Sequence, residues 1–216
     1  MKKPIIKEEN VETLLDARFI RLYDLQYAPG RHYFDASRRK KSDLVAIKSD
    51  EDFQSMLADA VSCVVIIKTP DREPRLLLSY EYRYPTGQYL LSVPAGLVDA
   101  EDKDTDNPLL ETAKREIKEE TGIDIKDSDQ LFVVNPCLFS TPGMTDESNA
   151  IVCAIIETDE IHVDQHGAVG SELFNGFTLL TKEDAKKILR DGKDAYGNYY
   201  SVYTWIGLMV FVTDIF

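Results

Sequence analysis

The chain has 216 residues, 44% of them apolar and 29% charged, enough to bury a sizeable core in one large domain or in one domain with a small extension. Its 25 Lys and Arg against 38 Asp and Glu leave a net charge of −13, which argues against a nucleic-acid polymer or an anionic membrane surface as partner, because both require a basic footprint. A small anionic substrate stays open, since a divalent cation bridges acidic side chains to phosphates.

The N-terminus, Met1-Lys2-Lys3-Pro4 and the charged residues after it, lacks the apolar stretch of a secretory signal, so a cytoplasmic location is expected. Residues 17–38 read as two strands around the turn signal Ala28-Pro29-Gly30, with His32-Tyr33-Phe34 in the second. Arg38-Arg39-Lys40-Lys41 reads as a solvated loop and residues 43–48 as a third strand. The β-branched run VSCVVIIKT at 61–69 is a buried strand. A turn at 71–74 leads to its hairpin partner over 75–84, and a short strand over 88–93 ends at Pro94. Further strands are expected at 131–138, 150–157 and 173–180, and helices at 108–121, 182–191 and 199–213.

The run from Trp205 to Val212 is shorter than the roughly 20 residues of a membrane span. Trp205 and Phe211 are read as helix-packing residues. The mixed order of strands and helices predicts an α+β or sandwich architecture rather than a regular βαβ alternation. Cys63, Cys137 and Cys153 are odd in number, lack metal-ligand spacing and sit in or beside apolar runs, as buried small hydrophobes do in a reducing compartment. His32, His162 and His166 show no ligand spacing and are read as surface residues.

The chemistry concentrates in residues 107–123, NPLLETAKREIKEETGI. Asn107 suits an N-cap, Pro108 the first helical position, and Gly122 a left-handed stop. At about 100° per residue, Leu110, Ala113 and Ile117 share a buried face, and Glu111, Lys114 and Lys118 a wet one. Glu116, Glu119 and Glu120 gather on the other flank of the buried face. These carboxylates repel one another and oppose the helix dipole near its C-terminal end. A bound cation reverses that penalty, and a cluster of hard oxygen donors suits Mg²⁺ or Mn²⁺. A charge-rich surface helix has the same composition. The neighbours favour a metal and phosphate pocket: Pro94-Ala95-Gly96 ends a strand on one side, and the acidic loop Thr141-Pro142-Gly143-Met144-Thr145-Asp146-Glu147 lies on the other.

Arg115-Glu116-Ile117-Lys118-Glu119-Glu120-Thr121-Gly122-Ile123 matches the second half of the Nudix box. Residues 82–99, YRYPTGQYLLSVPAGLVD, and the TPGMTDE loop resemble the flanks found in ADP-ribose pyrophosphatases of that superfamily. The resemblance spans roughly residues 60–180. It implies an α+β fold, a Nudix α/β/α sandwich over residues 58–216, preceded by a small N-terminal antiparallel β-domain over residues 1–57 that serves dimerisation and base recognition. It implies a cytoplasmic homodimer with a small-molecule nucleotide substrate and no nucleic-acid polymer or membrane partner. The implied activity is Mg²⁺-dependent hydrolysis of ADP-ribose to AMP and ribose 5-phosphate. The alternatives are another nucleoside diphosphate sugar, a non-catalytic nucleotide sensor, and repair of oxidised nucleoside triphosphates.

By position in the family pattern, Glu116 and Glu120 are principal metal ligands, with Glu119 and the Ala95 carbonyl beside them, and Arg115 orients a box carboxylate. Glu172 or Glu147 is the general base. Arg83 meets phosphate or ribose, Tyr33 and Arg38 grip the base, and Met144 belongs to the substrate-binding set. The chain departs from the pattern in three places. Gly96 lies nineteen residues before Arg115, five more than the box allows. Asn107 occupies the position of the box's first Glu, a loss that Glu101 or Asp102 in the lengthened loop is placed to make good. Ser92 stands where the pyrophosphatase group often carries Glu.

Overall fold

Residues 3–70, 72–164 and 173–214 are described by the computed structural model. Close contacts divide the chain into two units, Met1–Ala58 with Cys137–Asn149, and Asp59–Pro136 with Ala150–Phe216.

In the first unit, β1 (Val11–Asp16), β2 (Arg21–Ala28) and β3 (Arg31–Ser37) form an antiparallel sheet in that order. The turn signal at Pro29-Gly30 joins β2 to β3 as expected. β1 gave no strand signal because only Val11 of its six residues is buried, so alternation is missing. The strand expected over 43–48 is instead two 3₁₀ turns, Lys41–Asp43 and Val45–Ile47. Leu44 is buried with Val11, Tyr23 and Leu25. Its backbone finds no sheet edge, however, and the Val45 N–H donates to the Asp146 carboxylate at 3.1 Å. A short helix, α1 (Asp50–Gln54), follows, capped by the Ser49 hydroxyl.

The solvated reading of the basic run 38–41 fails at Arg39. That side chain is only 11% exposed, drawn inward by Asp43 at 3.2 Å and Asp146 at 3.7 Å.

The second unit holds β4 (Ala60–Thr69), β5 (Arg72–Arg83), β6 (Gln88–Ser92), β7 (Ala95–Leu97), α2 (Ala100–Lys103) and α3 (Pro108–Thr121). The chain continues through β8 (Gln130–Phe139), β9 (Ser148–Glu157), β10 (Phe174–Leu180), α4 (Lys182–Asp191) and α5 (Val202–Thr213); β8 ends and β9 begins in the first unit. The larger sheet runs β10-β5-β4-β9-β8, with β6 paired to β5 and β7 to β4. Its centre is mainly apolar: Val61, Val64 and Val65 of β4 and Ile151, Val152 and Ala154 of β9 are essentially inaccessible, as the β-branched run predicts.

Helix α3 lies against β4 and β7, and α5 against β4 and β6. Phe211 of α5 is buried, whereas Trp205 is 45% exposed and packs less than expected. Cys63 and Cys153 are buried, and Cys137 is half-buried. His32 is half-exposed and tied to the buried Asp24 at 2.7 Å; His162 is exposed beside Glu160; His166 lies outside the described residues. Among the described residues, no helix is long and apolar enough to cross a membrane.

Candidate active site

The acidic helix has the boundaries its end signals predict. Pro108 opens α3, and Gly122 closes it at φ 74°, a left-handed conformation glycine adopts without a Cβ penalty. Asn107 makes no side-chain cap; only its carbonyl joins the helix, accepting from the Leu110 and Glu111 amides. Ala113 and Ile117 are fully buried, and Leu110 is intermediate. Glu116 and Glu120 turn out to share that burial, at 7% and 4% exposure, while Glu119 stays 38% exposed in its side chain. The expected acidic flank is therefore split into two inward carboxylates and one at the rim.

The inward carboxylates meet main chain. β7 pairs with β4 in the register Ser62↔Ala95, Val61↔Gly96 and Ala60↔Leu97, which fixes its backbone beside α3. The Ala95 N–H donates to Glu120 Oε1 at 3.1 Å. At Gly96 a Cβ would fall 1.9 Å from Glu116 Oε1, so the carboxylate occupies space that only glycine leaves empty. Burial raises the pKa of Cys63 well above that of a free thiol, and the charges of Glu120 and Glu116 push the same way.

Arg115 organises the outer side. Its Nη1 donates to Glu116 Oε1 at 2.7 Å and to Glu119 Oε2 at 3.3 Å. Its Nη2 donates to the Leu97 carbonyl and to Asp102 Oδ2, both at 2.9 Å, with Asp99 Oδ2 at 3.5 Å. Burial would lower the guanidinium pKa, but Asp102 and Glu116 outweigh it and the pKa is raised. Burial would likewise raise the Asp102 pKa, but the hydrogen bonds from Arg115, Thr112 and the Asp99 backbone dominate and it is lowered. Glu101, the other acid weighed for the missing box position, is exposed. Ser92 is buried, and its carbonyl accepts from Ser79 at 3.5 Å.

The donor chemistry suits a hard divalent cation: Glu116, Glu119, Glu120 and the Ala95 carbonyl all offer oxygen atoms, and one guanidinium faces the four carboxylates of Asp99, Asp102, Glu116 and Glu119. Among the described residues, no three acidic, histidine or cysteine side chains already converge as a complete cage. Glu116 is engaged by Arg115, and Glu120 by the Ala95 amide.

Arg83, at the end of β5, is half-exposed and holds Glu81 at 2.6 Å. The candidates of the first unit each contact another part of that unit. Tyr33, half-exposed, donates its hydroxyl to the Gly143 carbonyl at 2.9 Å. Arg38 Nε meets Glu147 Oε2 at 2.5 Å. Met144 is exposed, and its carbonyl accepts from the Ala36 amide at 2.9 Å. A cavity of about 300 Å³ is lined by Tyr33, Phe34, Phe53, Phe139, Asp35 and Asp146, among others. The burial of the two aspartate side chains escaped sequence reasoning, because a lone Asp in a strand and one in an acidic loop carry no sign of it. Glu172 lies outside the described residues.

The chain is 28% identical over 155 residues to an ADP-ribose pyrophosphatase of Saccharomyces cerevisiae, covering 71% of this chain and 59% of that protein. It is 28% identical over 103 residues to an ADP-sugar pyrophosphatase of Mus musculus, covering 48% of this chain and 43% of the other. It thus spans about three-fifths or less of the length of these relatives. The crystal structure of an ADP compounds hydrolase superposes with a TM-score of 0.57 at 19% identity, covering 97% of this chain and 92% of that one, and so shares the fold. The family model of the NUDIX domain matches residues 56–195, well over half of the chain, which therefore belongs to the Nudix family.

Proposed function

We infer that the protein is a Mg²⁺-dependent hydrolase of the pyrophosphate bond of ADP-ribose, releasing AMP and ribose 5-phosphate. One observation carries the reading: Glu116 and Glu120 are buried against the Ala95–Gly96 backbone in a cluster where carboxylates outnumber the arginine. Buried anions in excess of their counter-charge are costly, and a hard cation relieves that cost. The names of the yeast and mouse relatives support the substrate class.

In this reading Glu116, Glu120, Glu119 and the Ala95 carbonyl would hold Mg²⁺, or Mn²⁺ in its place. The ion, when bound, would supply Lewis-acid chemistry to the attacking water and charge neutralisation to the phosphates. Arg115 fixes the carboxylate of Glu116. The water's proton would pass to a carboxylate, for which Glu172 and Glu147 are the two candidates. Arg83 binds phosphate or ribose. Tyr33, held through its hydroxyl and half-exposed, offers a ring for stacking on the base, and Arg38 and Met144 are the further substrate contacts of this reading. Residues 1–57 serve base recognition and homodimerisation, residues 58–216 the hydrolysis, and the protein works in the cytoplasm. The mouse relative's name favours a second reading of the same site, with a different ADP-sugar as substrate.

The test is product release from ADP-ribose, nucleotide sugars, dinucleotides and nucleoside triphosphates with Mg²⁺ or Mn²⁺, with Glu120→Gln as control. Turnover of ADP-ribose that requires metal and disappears in the control is the expected result. A folded protein that binds nucleotide but turns nothing over would replace the enzyme with a nucleotide sensor.

A further inference from the structure

The chain lacks the acid that its box should carry eight residues before Arg115, and it has five extra residues in the preceding loop. Those two departures meet in space. The lengthened segment folds as α2, capped reciprocally by the Asp99 and Asp102 side chains. Asp102 is buried although three of its helix's four residues are exposed. Its Oδ2 accepts from Arg115 Nη2 at 2.9 Å, from the Thr112 hydroxyl at 3.0 Å and from the Asp99 amide at 3.2 Å.

We propose that Asp102, delivered by this inserted helix, is the positioning residue that sets Arg115 and, through it, the carboxylate of Glu116. The inference rests on the metal-site reading given above. Asp102 and the Leu97 carbonyl pin the Nη2 edge of the guanidinium, which leaves Nη1 aimed at Glu116 and Glu119. A planar fork fixed along one edge presents the other in one orientation. Asp102 also balances the arginine's charge from outside the ligand set. Without it, Glu116 and Glu119 would have to neutralise the cation themselves and would be weaker donors to a metal. Changes behind a metal ligand commonly weaken metal affinity by roughly 10–100-fold, and Asp102 belongs in that range.

The experiment measures Mn²⁺ binding to the full-length protein by calorimetry and by the loss of the free-ion paramagnetic signal, with melting temperatures recorded in chelator. Asp102→Asn is expected to weaken Mn²⁺ binding about tenfold, in line with that range. Thr112→Val removes one hydrogen bond to Asp102 but keeps its charge, and is expected to bind Mn²⁺ as the wild type does. If Asp102→Asn does not fold, Asp102→Ser makes the same comparison. Wild-type Mn²⁺ affinity in a folded charge-removed variant, with only a lowered melting point, would reduce Asp102 to a structural residue and overturn the proposal while leaving the metal reading intact. A wild-type protein that binds no Mn²⁺ would overturn both.

Discussion

Asp35 offers the sharpest quantitative check on the first unit. It sits on β3 opposite Tyr23, 6% exposed, with Oδ2 making no hydrogen bond among the described residues. Burial pushes its pKa up to about 6, and the neighbouring Asp146 carboxylate pushes the same way; a hydrogen bond from the Asp146 backbone and the charge of Arg39 oppose them. Because the folded pKa lies above the unfolded one, the folded state favours the protonated acid. The site therefore costs nothing below about pH 4, and stability is lost as the pH rises through 6.

A rise from 3.8 to about 6, at about 1.36 kcal/mol per unit, sets a ceiling of about 3 kcal/mol at pH 8. Asp35→Asn keeps the shape and removes that penalty, but it brings an amide N–H₂ donor that the buried site must satisfy. A net gain of about 1–2 kcal/mol at pH 8 is expected, about half of it gone by pH 5. Urea unfolding followed by circular dichroism at both pH values reads it directly. A variant no more stable than the wild type at pH 8, with an unchanged pH profile, would refute the reasoning.

Two further outcomes follow from α3. Gly96→Ala puts a Cβ 1.9 Å from Glu116 Oε1; since the clash is with the end of a flexible side chain, the melting point should hold while Mn²⁺ affinity, measured by calorimetry, falls roughly tenfold or more. Ile117→Ala empties a fully buried position and should cost about 2–5 kcal/mol in urea unfolding, with the smaller values if α3 settles toward β4.

Legibility in the sequence followed the physics of each signal. Helix α3 was readable to the residue because Pro108 and Gly122 punctuate it, and β4 because its β-branched run needs no partner to identify it. β7 was not, since three residues, Ala95–Leu97, are too few to show a period. α2 hid in a loop whose acids look solvated, and only the Arg115 contact reveals which of Glu101 and Asp102 turns inward. The same limit applied to Asp35 and Arg39: burial of a charge depends on a partner distant in the chain, and composition is silent about it. For the candidate ligands, spacing gave the helix face, but the depth of Glu116 and Glu120 came from the approach of the β7 backbone.

The first unit is assembled from two stretches of chain, with Cys137–Asn149 returning to Met1–Ala58. Phe139 stacks on Phe53 at 6.1 Å between ring centroids, and Asp146 and Met144 take up the Val45 and Ala36 amides. During synthesis the leading sheet leaves the ribosome long before those residues exist. It must wait, with the Ala36 and Val45 amides unpaired and the Phe53 ring without its stacking partner, until the chain has grown past residue 149. Such non-local closure is slow and leaves apolar surface open to misassembly in the interval. The late-made loop is thus the fastening of the early-made sheet, and a fragment ending before it should emerge as a sheet that cannot finish folding.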